Sequence, residues 1–179
     1  SRGQGRMQPG TAGGGRVTLV GSNGLFSVGG HGAHDCKSGD HVILVNGVGR
    51  GGHVEVQDHA ILGAMSGVHQ FVRIGRHAMI GGKSAVESDV IPYGSVLGNR
   101  AYLSGLNIIG LKRRGFGREE IHSLRNAYRL LFAQEGTMQE RLADVAAMFA
   151  DHEQVMEIVA FIEADSSRAL CQPKLDRAA

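Results

Sequence analysis

The chain has 179 residues, a formal net charge of +2, 28 glycines and two cysteines. That length fits one domain or a solenoid with an appendage, and the nearly balanced charge excludes a general polyanion binder. Two cysteines far apart in sequence indicate neither a disulfide scaffold nor a CxxC metal site. No apolar run reaches the ~18 residues of a membrane span, and no signal peptide opens the chain. We therefore predict a cytoplasmic protein without stable membrane insertion and without a nucleic-acid partner.

Residues 1–16 are rich in glycine and begin without methionine. We interpret them as a loop or an incomplete solenoid coil. The end of a solenoid normally carries a cap, and this segment has no recognisable one. We therefore expect the chain to be an internal part of a longer protein.

The following stretch repeats every six residues. Nine of the twelve residues met in steps of six from Val20 are bulky and apolar, and the residues four places further on are small or β-branched. A helix repeats every 3.6 residues and a simple strand every 2, whereas hexads indicate a parallel β-helix with three hexads per coil. We predict this β-helix over residues 17–110, with glycines easing its corners. The twelve residues are Val20, Phe26, Gly32, Ser38, Leu44, Arg50, Val56, Leu62, Val68, Ile74, Ile80 and Val86.

Three of these inward positions, Gly32, Ser38 and Arg50, do not carry a bulky apolar residue. Gly32 and Ser38 remove core filling, and such losses typically cost ~2–5 kcal/mol each in a tight core. An unpaired buried charge is more costly still. We therefore expect Arg50 to bend out to solvent and to distort its coil.

The repeat stops at Pro92, and residues 91–110 form a predicted connector. Apolar residues at helical spacing then predict a small helical domain over residues 111–165. Three helices are expected. The first spans residues 118–134 and the third residues 153–164. The second begins after Thr137, a predicted N-cap with Glu140 three positions later. We expect the tail, residues 166–179, to be poorly ordered.

Seven of the nine histidines lie between His31 and His77. An 18-residue coil stacks each position on the one 18 residues later, so His34 should lie beneath Gly52 and Asp35 beneath His53. A histidine beside a free backbone N–H is a candidate base with an oxyanion donor. The equivalent positions His41, His59 and His77 are interpreted as ordinary outward-facing residues.

Other interpretations of these residues remain open at this point. Cys36 invites a nucleophile hypothesis, although its small inward position favours a buried filler. The histidines His31, His34, His53 and His69 could gather a metal, but their spacing has no specific metal signature. The basic run Lys112–Arg114 is either a solvated surface or a binding site for phosphate or an acidic partner.

Five segments of the chain carry a family resemblance: His31–Cys36, Gly52–Val54, Val68–Phe71, Asn107–Phe116 and Asn126–Tyr128. They resemble the acyl-[acyl-carrier-protein]–UDP-N-acetylglucosamine O-acyltransferases of lipid A biosynthesis. The resemblance runs from about Pro9 to Ile162, and the GLKRRGF segment with the helices after it is more specific than the hexads. Members of that family begin several coils earlier, so the resemblance implies an N-terminally truncated chain.

The resemblance implies a homotrimer of left-handed parallel β-helices with active sites between subunits. Such an enzyme moves an (R)-3-hydroxyacyl group from acyl carrier protein to the 3-hydroxyl of UDP-N-acetylglucosamine. In this sequence His34 matches the general base, Asp35 the acid that orients it and Gly52 the oxyanion donor. Substrate-binding positions are matched by His31, His53, His69, Gln70, Asn107, Arg113 and Arg114.

The resemblance implies neither a cofactor nor a metal. It leaves two alternatives to the O-acyltransferase. One is the related hexapeptide N-acyltransferase of the same pathway. The other is an inactive β-helix fragment that only assembles or binds acyl carrier protein.

Overall fold

The structure is a computed structural model that describes residues 5–13 and 15–174. It consists of a parallel β-solenoid followed by a small helical domain, as the hexads predict. The solenoid strands are two residues long and recur at six-residue intervals from β2 to β13. The strands are β1 Arg6–Met7, β2 Leu19–Val20, β3 Leu25–Phe26, β4 His31–Gly32, β5 Lys37–Ser38, β6 Ile43–Leu44, β7 Gly49–Arg50, β8 Glu55–Val56, β9 Ile61–Leu62, β10 Gly67–Val68, β11 Arg73–Ile74, β12 Met79–Ile80, β13 Ala85–Val86, β14 Gly94–Leu97 and β15 Tyr102–Leu106.

Each coil contributes one strand to each of three sheets, which form the sides of a triangular prism. Sheet A has the order β1-β4-β7-β10-β13, sheet B the order β11-β8-β5-β2, and sheet C the order β15-β14-β12-β9-β6-β3. His31 pairs with Gly49 and Gly49 pairs with Gly67, so regular coils stack in parallel with an 18-residue offset. This register confirms the predicted stacking of equivalent positions.

From Gly32 to Val86 the predicted ladder forms the buried interior of the prism, whereas Val20 in the first coil is 47% exposed. Val56, Leu62 and Ile74 are at most 1% exposed, and their small partners Cys36 and Val42 are fully buried. Several glycines that follow the bulky residues are needed for close coil packing, because a Cβ at Gly51 or Gly63, for example, would lie 2.6 Å from the backbone of the next coil. The left-handed corner conformation is adopted mostly by non-glycine residues, although Gly29 and Gly47 also adopt it.

Arg50 does not bend out to solvent, so that prediction is wrong. Its side chain is 2% exposed and points into the solenoid, where a guanidinium nitrogen donates to Ser38 Oγ at 2.5 Å. Gly32 pairs with Arg50 in the adjacent coil, and a Cβ at Gly32 would lie 2.8 Å from Arg50 Nη2. The three unusual residues therefore form one feature, in which Gly32 leaves the space and Ser38 gives the hydrogen bond.

The predicted connector contains two strands. β14 pairs in parallel with β12 and antiparallel with β15, which extends sheet C beyond the last regular coil. Hexad periodicity cannot predict these strands, because Pro92 interrupts it and because antiparallel pairing has a different register.

Four helices follow. Thr137 and Glu140 form the predicted capping box, and the amphipathic faces of the last three helices pack together around Leu124, Val145 and Ile158. The helices are α1 Ile108–Arg113, α2 Arg118–Leu131, α3 Met138–Met148 and α4 Glu153–Glu163. None of the helices in residues 5–13 and 15–174 combines the length and apolar character that crossing a membrane requires.

The tail packs against the solenoid, contrary to the prediction of poor order after Ser166. Ser166 Oγ donates to Asp89 Oδ2 at 2.7 Å, and Leu170 forms a parallel bridge with Asp89. Cys171 is 4% exposed. Asp89 also binds Arg73 at 2.7 Å, so this buried carboxylate joins the tail to sheet B. The predicted tail residues 175–179 lie outside the described residues.

Candidate active site

The predicted catalytic residues lie at the corner between sheets A and B. The chain turns there between β4 and β5, and again one coil later between β7 and β8. Asp35 and His53 occupy the corner position of successive coils with φ of 58° and 59°. Such values are uncommon for residues other than glycine. Similar values recur at the other corners, so the conformation belongs to the solenoid and is not a special feature of this site.

His34 and Asp35 form a hydrogen-bonded pair. His34 Nδ1 lies 2.9 Å from Asp35 Oδ2. The histidine side chain is 39% exposed and the carboxylate side chain 1%. A proton on Nδ1 that is held by the carboxylate leaves Nε2 as the unprotonated, accessible nitrogen. This is the arrangement that a general base requires.

The environment keeps Asp35 ionised. Burial acts to raise its pKa, but hydrogen bonds from the Thr11 hydroxyl and backbone N–H, then from His34, and the charge of His53 together lower the pKa to about 2. An ionised carboxylate stabilises the imidazolium that forms when His34 takes a proton.

Gly52 lies directly against the His34 ring. A Cβ at Gly52 would be 2.6 Å from His34 Cε1, so a side chain there would displace the imidazole. Among the hydrogen bonds of the described residues, the Gly52 N–H donates none, whereas its carbonyl accepts from Phe71 N at 3.0 Å. A free N–H beside a histidine can receive a developing oxyanion. The predicted juxtaposition of His34 and Gly52 is present in the fold.

His53 completes this corner. Its ring centroid is 5.2 Å from that of His34 and 4.7 Å from that of Phe71, on which it stacks. His53 Nε2 is 3.9 Å from Asp35 Oδ2. Donor atoms of His34, Asp35 and His53 come within 4.8 Å of one another and could approach one cation. The bond from His34 Nδ1 to Asp35 fits a catalytic pair better than a ligand set.

Three more predicted substrate-binding residues lie near sheet A. His31 on β4 is exposed at the open end of the solenoid, beside Met7 and Phe26. His69 and Gln70 follow β10, and both contact the tail: Arg168 Nη2 lies 2.7 Å from His69 Nδ1, and Arg168 Nε donates to the Gln70 carbonyl at 2.9 Å. The contacts of Arg168 could not be predicted from the sequence, because the tail carries no periodic pattern that would place it on the solenoid.

Asn107, Arg113 and Arg114 lie elsewhere, at a groove of about 760 Å³ between α1 and sheet C. Asn107 caps α1 by accepting from Gly110 N at 3.1 Å, and it also donates to the His77 carbonyl at 2.9 Å. Arg114 donates to the His59 carbonyl at 2.9 Å, so part of the basic run is structural. Apolar side chains of sheet C and α1, among them Ile61, Met79 and Ile108, line the same groove.

These two groups of residues are on opposite sides of the prism. The catalytic corner joins sheets A and B, whereas the groove opens on sheet C. One chain therefore does not bring all of its predicted site residues to one substrate.

Cys36 is a buried core residue. It is fully buried, its thiol donates to the Gly51 carbonyl at 3.2 Å, and burial raises its pKa. A nucleophilic cysteine needs an accessible thiolate, so the geometry contradicts the nucleophile hypothesis.

The comparisons with known proteins point to one family. A family model described as UDP-N-acetylglucosamine O-acyltransferase, domain 2, matches residues 89–171. The acyl-[acyl-carrier-protein]–UDP-N-acetylglucosamine O-acyltransferase of Caulobacter vibrioides is 58% identical over 168 residues, which cover 94% of this chain and 64% of that protein. The homologue of the same name from Methylobacterium radiotolerans is also 58% identical, with 94% and 62% covered.

The fold agrees with solved structures. A UDP-N-acetylglucosamine acyltransferase of Francisella novicida superposes with a TM-score of 0.88 at 36% identity, covering 97% of this chain and 66% of that one. The chain spans less than two thirds of the length of these relatives. By sequence and by fold, the chain is similar to the acyl-[acyl-carrier-protein]–UDP-N-acetylglucosamine O-acyltransferase family over nearly all of its own length.

Proposed function

We propose that this chain transfers an (R)-3-hydroxyacyl group from acyl carrier protein to the 3-hydroxyl of UDP-N-acetylglucosamine, the first step of lipid A biosynthesis. The observation that carries the proposal is the His34–Asp35 pair beside the free N–H of Gly52. An alcohol is a weak nucleophile, so its attack on a thioester needs a base and a donor for the oxyanion.

In the proposed reaction, His34 Nε2 removes the proton of the acceptor hydroxyl as its oxygen attacks the thioester carbonyl. The Gly52 N–H stabilises the resulting oxyanion, and Asp35 stabilises the protonated imidazole. Collapse of the tetrahedral intermediate breaks the carbon–sulfur bond. The leaving thiolate of the carrier takes the proton from His34, so the products are the ester and the carrier thiol.

The remaining predicted residues bind substrates in this proposal. His31, His53, His69 and Gln70 contact the sugar nucleotide or the acyl group. Asn107, Arg113 and Arg114 act near the acyl chain, the nucleotide or the carrier. The apolar walls and two arginines of the sheet C groove support this division, because an acyl chain needs apolar surface and a diphosphate or acidic protein needs cations.

We further propose that the chain acts as a homotrimer. The corner and the groove face opposite sides of one prism, but a cyclic assembly can place the corner of one subunit against the groove of the next. Analytical ultracentrifugation should give three chains per particle. A stable, folded monomer would contradict this assembly.

The test of the proposed function is an ester-formation assay. Purified chain is incubated with 3-hydroxyacyl-acyl carrier protein and UDP-N-acetylglucosamine, and the product is identified by mass spectrometry and by mild alkaline hydrolysis. We expect an alkali-labile ester. In a parallel incubation that supplies a sugar nucleotide with a free amine, an alkali-stable amide would instead identify the N-acyltransferase. Carrier binding without product would identify the inactive fragment.

A further inference from the structure

The first described coil contains a long loop. Arg6 pairs with His31, 25 residues later, whereas the regular coils have an 18-residue offset. The seven additional residues lie between β1 and β2. Thr18 Oγ1 donates to the Gln8 carbonyl at 2.7 Å and accepts the N–H of Asp35 at 3.1 Å. The loop is thus fastened to the catalytic corner.

Within this loop, Thr11 holds the carboxylate of Asp35. The Thr11 hydroxyl donates to Asp35 Oδ2 at 2.7 Å, and the Thr11 N–H lies 3.0 Å from Oδ2 and 3.1 Å from Oδ1. Thr11 itself is exposed, so these bonds are not a by-product of core packing.

We propose that Thr11 is a positioning residue for acyl transfer, which fixes the Asp35 carboxylate against His34. This inference rests on the proposed function and deepens it. Thr11 lies 24 residues from Asp35 in sequence and acts through that carboxylate alone.

The need for such a residue follows from the geometry of the corner. The same oxygen, Asp35 Oδ2, lies 2.9 Å from His34 Nδ1 and 3.9 Å from His53 Nε2. These two histidines and the buried thiol of Cys36 are the titratable groups beside the carboxylate among the described residues. A carboxylate that could rotate would divide its bonding between the two imidazoles. The three bonds from Thr11 fix the rotation that favours His34.

The experiment compares Thr11→Val, which removes the hydroxyl at nearly constant size, with Thr11→Ser, which keeps it. Loss of a hydrogen bond to a charged group predicts a kcat roughly tenfold lower for Thr11→Val with KM little changed. Thr11→Ser should restore most of the rate. Equal rates for both variants and the unsubstituted chain would overturn the proposal.

A double-mutant cycle with Asp35→Asn tests whether Thr11 acts through Asp35. Adding Thr11→Val to Asp35→Asn should cause little further loss, because the charge that Thr11 holds is already absent. Fully additive losses would show that Thr11 acts in another way and would overturn the proposal.

A titration separates this proposal from the proposed function. The carboxyl ¹³C signal of Asp35 should titrate near pH 2 in the unsubstituted chain and at a higher pH in Thr11→Val, because the hydroxyl bond from Thr11 is one of the causes that lower this pKa. Ester formation with an unshifted midpoint in Thr11→Val would overturn the role of Thr11. A shifted midpoint in a chain that forms no ester would overturn the proposed function.

Discussion

Two corners of the solenoid carry histidines, but these histidines occupy different positions of the turn and have different surroundings. At the corner between sheets A and B, His34 meets the buried carboxylate of Asp35. At the corner between sheets B and C, His41, His59 and His77 stack in a column with centroids 4.7 Å apart. Among the described residues, no ion pair joins that column to a carboxylate.

The column is an ordinary packing feature. It ends on Tyr93, whose hydroxyl bonds to Glu157 of α4, and it therefore connects the solenoid with the helical domain. Burial, followed by the charges of Arg114, His59 and Arg76, lowers the pKa of His77 to about 4. His34 becomes a candidate base through its buried partner carboxylate, and the ion pairs of the described residues give the column histidines no such partner.

The largest expected effect is on His34. Loss of a general base should lower kcat roughly 100- to 10,000-fold in His34→Ala, with substrate binding changed much less. His77→Phe, at the other corner, should keep nearly full kcat. Cys36→Ala is a second control, which should keep the rate and lose stability. A kcat for His77→Phe below that for His34→Ala, measured by steady-state kinetics, would contradict the assignment of the base to His34.

His77 should instead affect acid stability. Its pKa in the folded chain, about 4, is below the 6.5 of an ordinary histidine, so the unfolded chain binds more protons between these values. The contribution of His77 to the free energy of unfolding is therefore fully present above about pH 6.5. It is lost as the pH falls toward 4, by about 3 kcal/mol in total.

Denaturant unfolding of the unsubstituted chain and of His77→Phe, between pH 4 and 7, checks this prediction. The free energy of unfolding of the variant should depend much less on pH, because phenylalanine keeps an aromatic ring but does not titrate. Part of this pH dependence should remain, since burial and the charge of His41 also lower the pKa of His59. Identical slopes would contradict the prediction.

Asp35→Asn tests the other half of the comparison. The amide keeps the size of the side chain but cannot stabilise an imidazolium by charge, so we expect kcat to fall roughly 10- to 100-fold. Asp58→Asn, a substitution near the column, is the matched control and should leave kcat nearly unchanged. An Asp35→Asn variant with full activity would mean that the paired carboxylate does not distinguish the two corners.

The smallest expected effect concerns the core beneath the catalytic corner. Arg50→Leu combined with Ser38→Val replaces a buried cation and its hydrogen-bond partner by apolar filling, which is often stabilising by about 1–2 kcal/mol. For a chain of this size the melting temperature should rise by roughly 2–8 °C, with kcat unchanged. A lower melting temperature would show that Arg50 stabilises this coil.

The sequence predicts the regular coils because the strict period of six fixes both the register and the inward residues. The same register predicts that His34 meets Gly52, since one coil is 18 residues. It cannot predict the direction of Arg50, because the space for an inward arginine is left by Gly32 in the neighbouring coil. Nor does it predict the contact between Thr11 and Asp35, which depends on a loop that departs from the period.

Subunit complementation tests the central claim most directly, namely that the corner of one subunit works with the groove of another. His34→Ala and Arg113→Ala chains are each expected to be nearly inactive alone. In randomly mixed cyclic oligomers, about a quarter of the interfaces should combine an intact corner with an intact groove, and activity should return to that level. If mass spectrometry shows that mixed oligomers form but they remain inactive, the corner and the groove of different subunits do not work together.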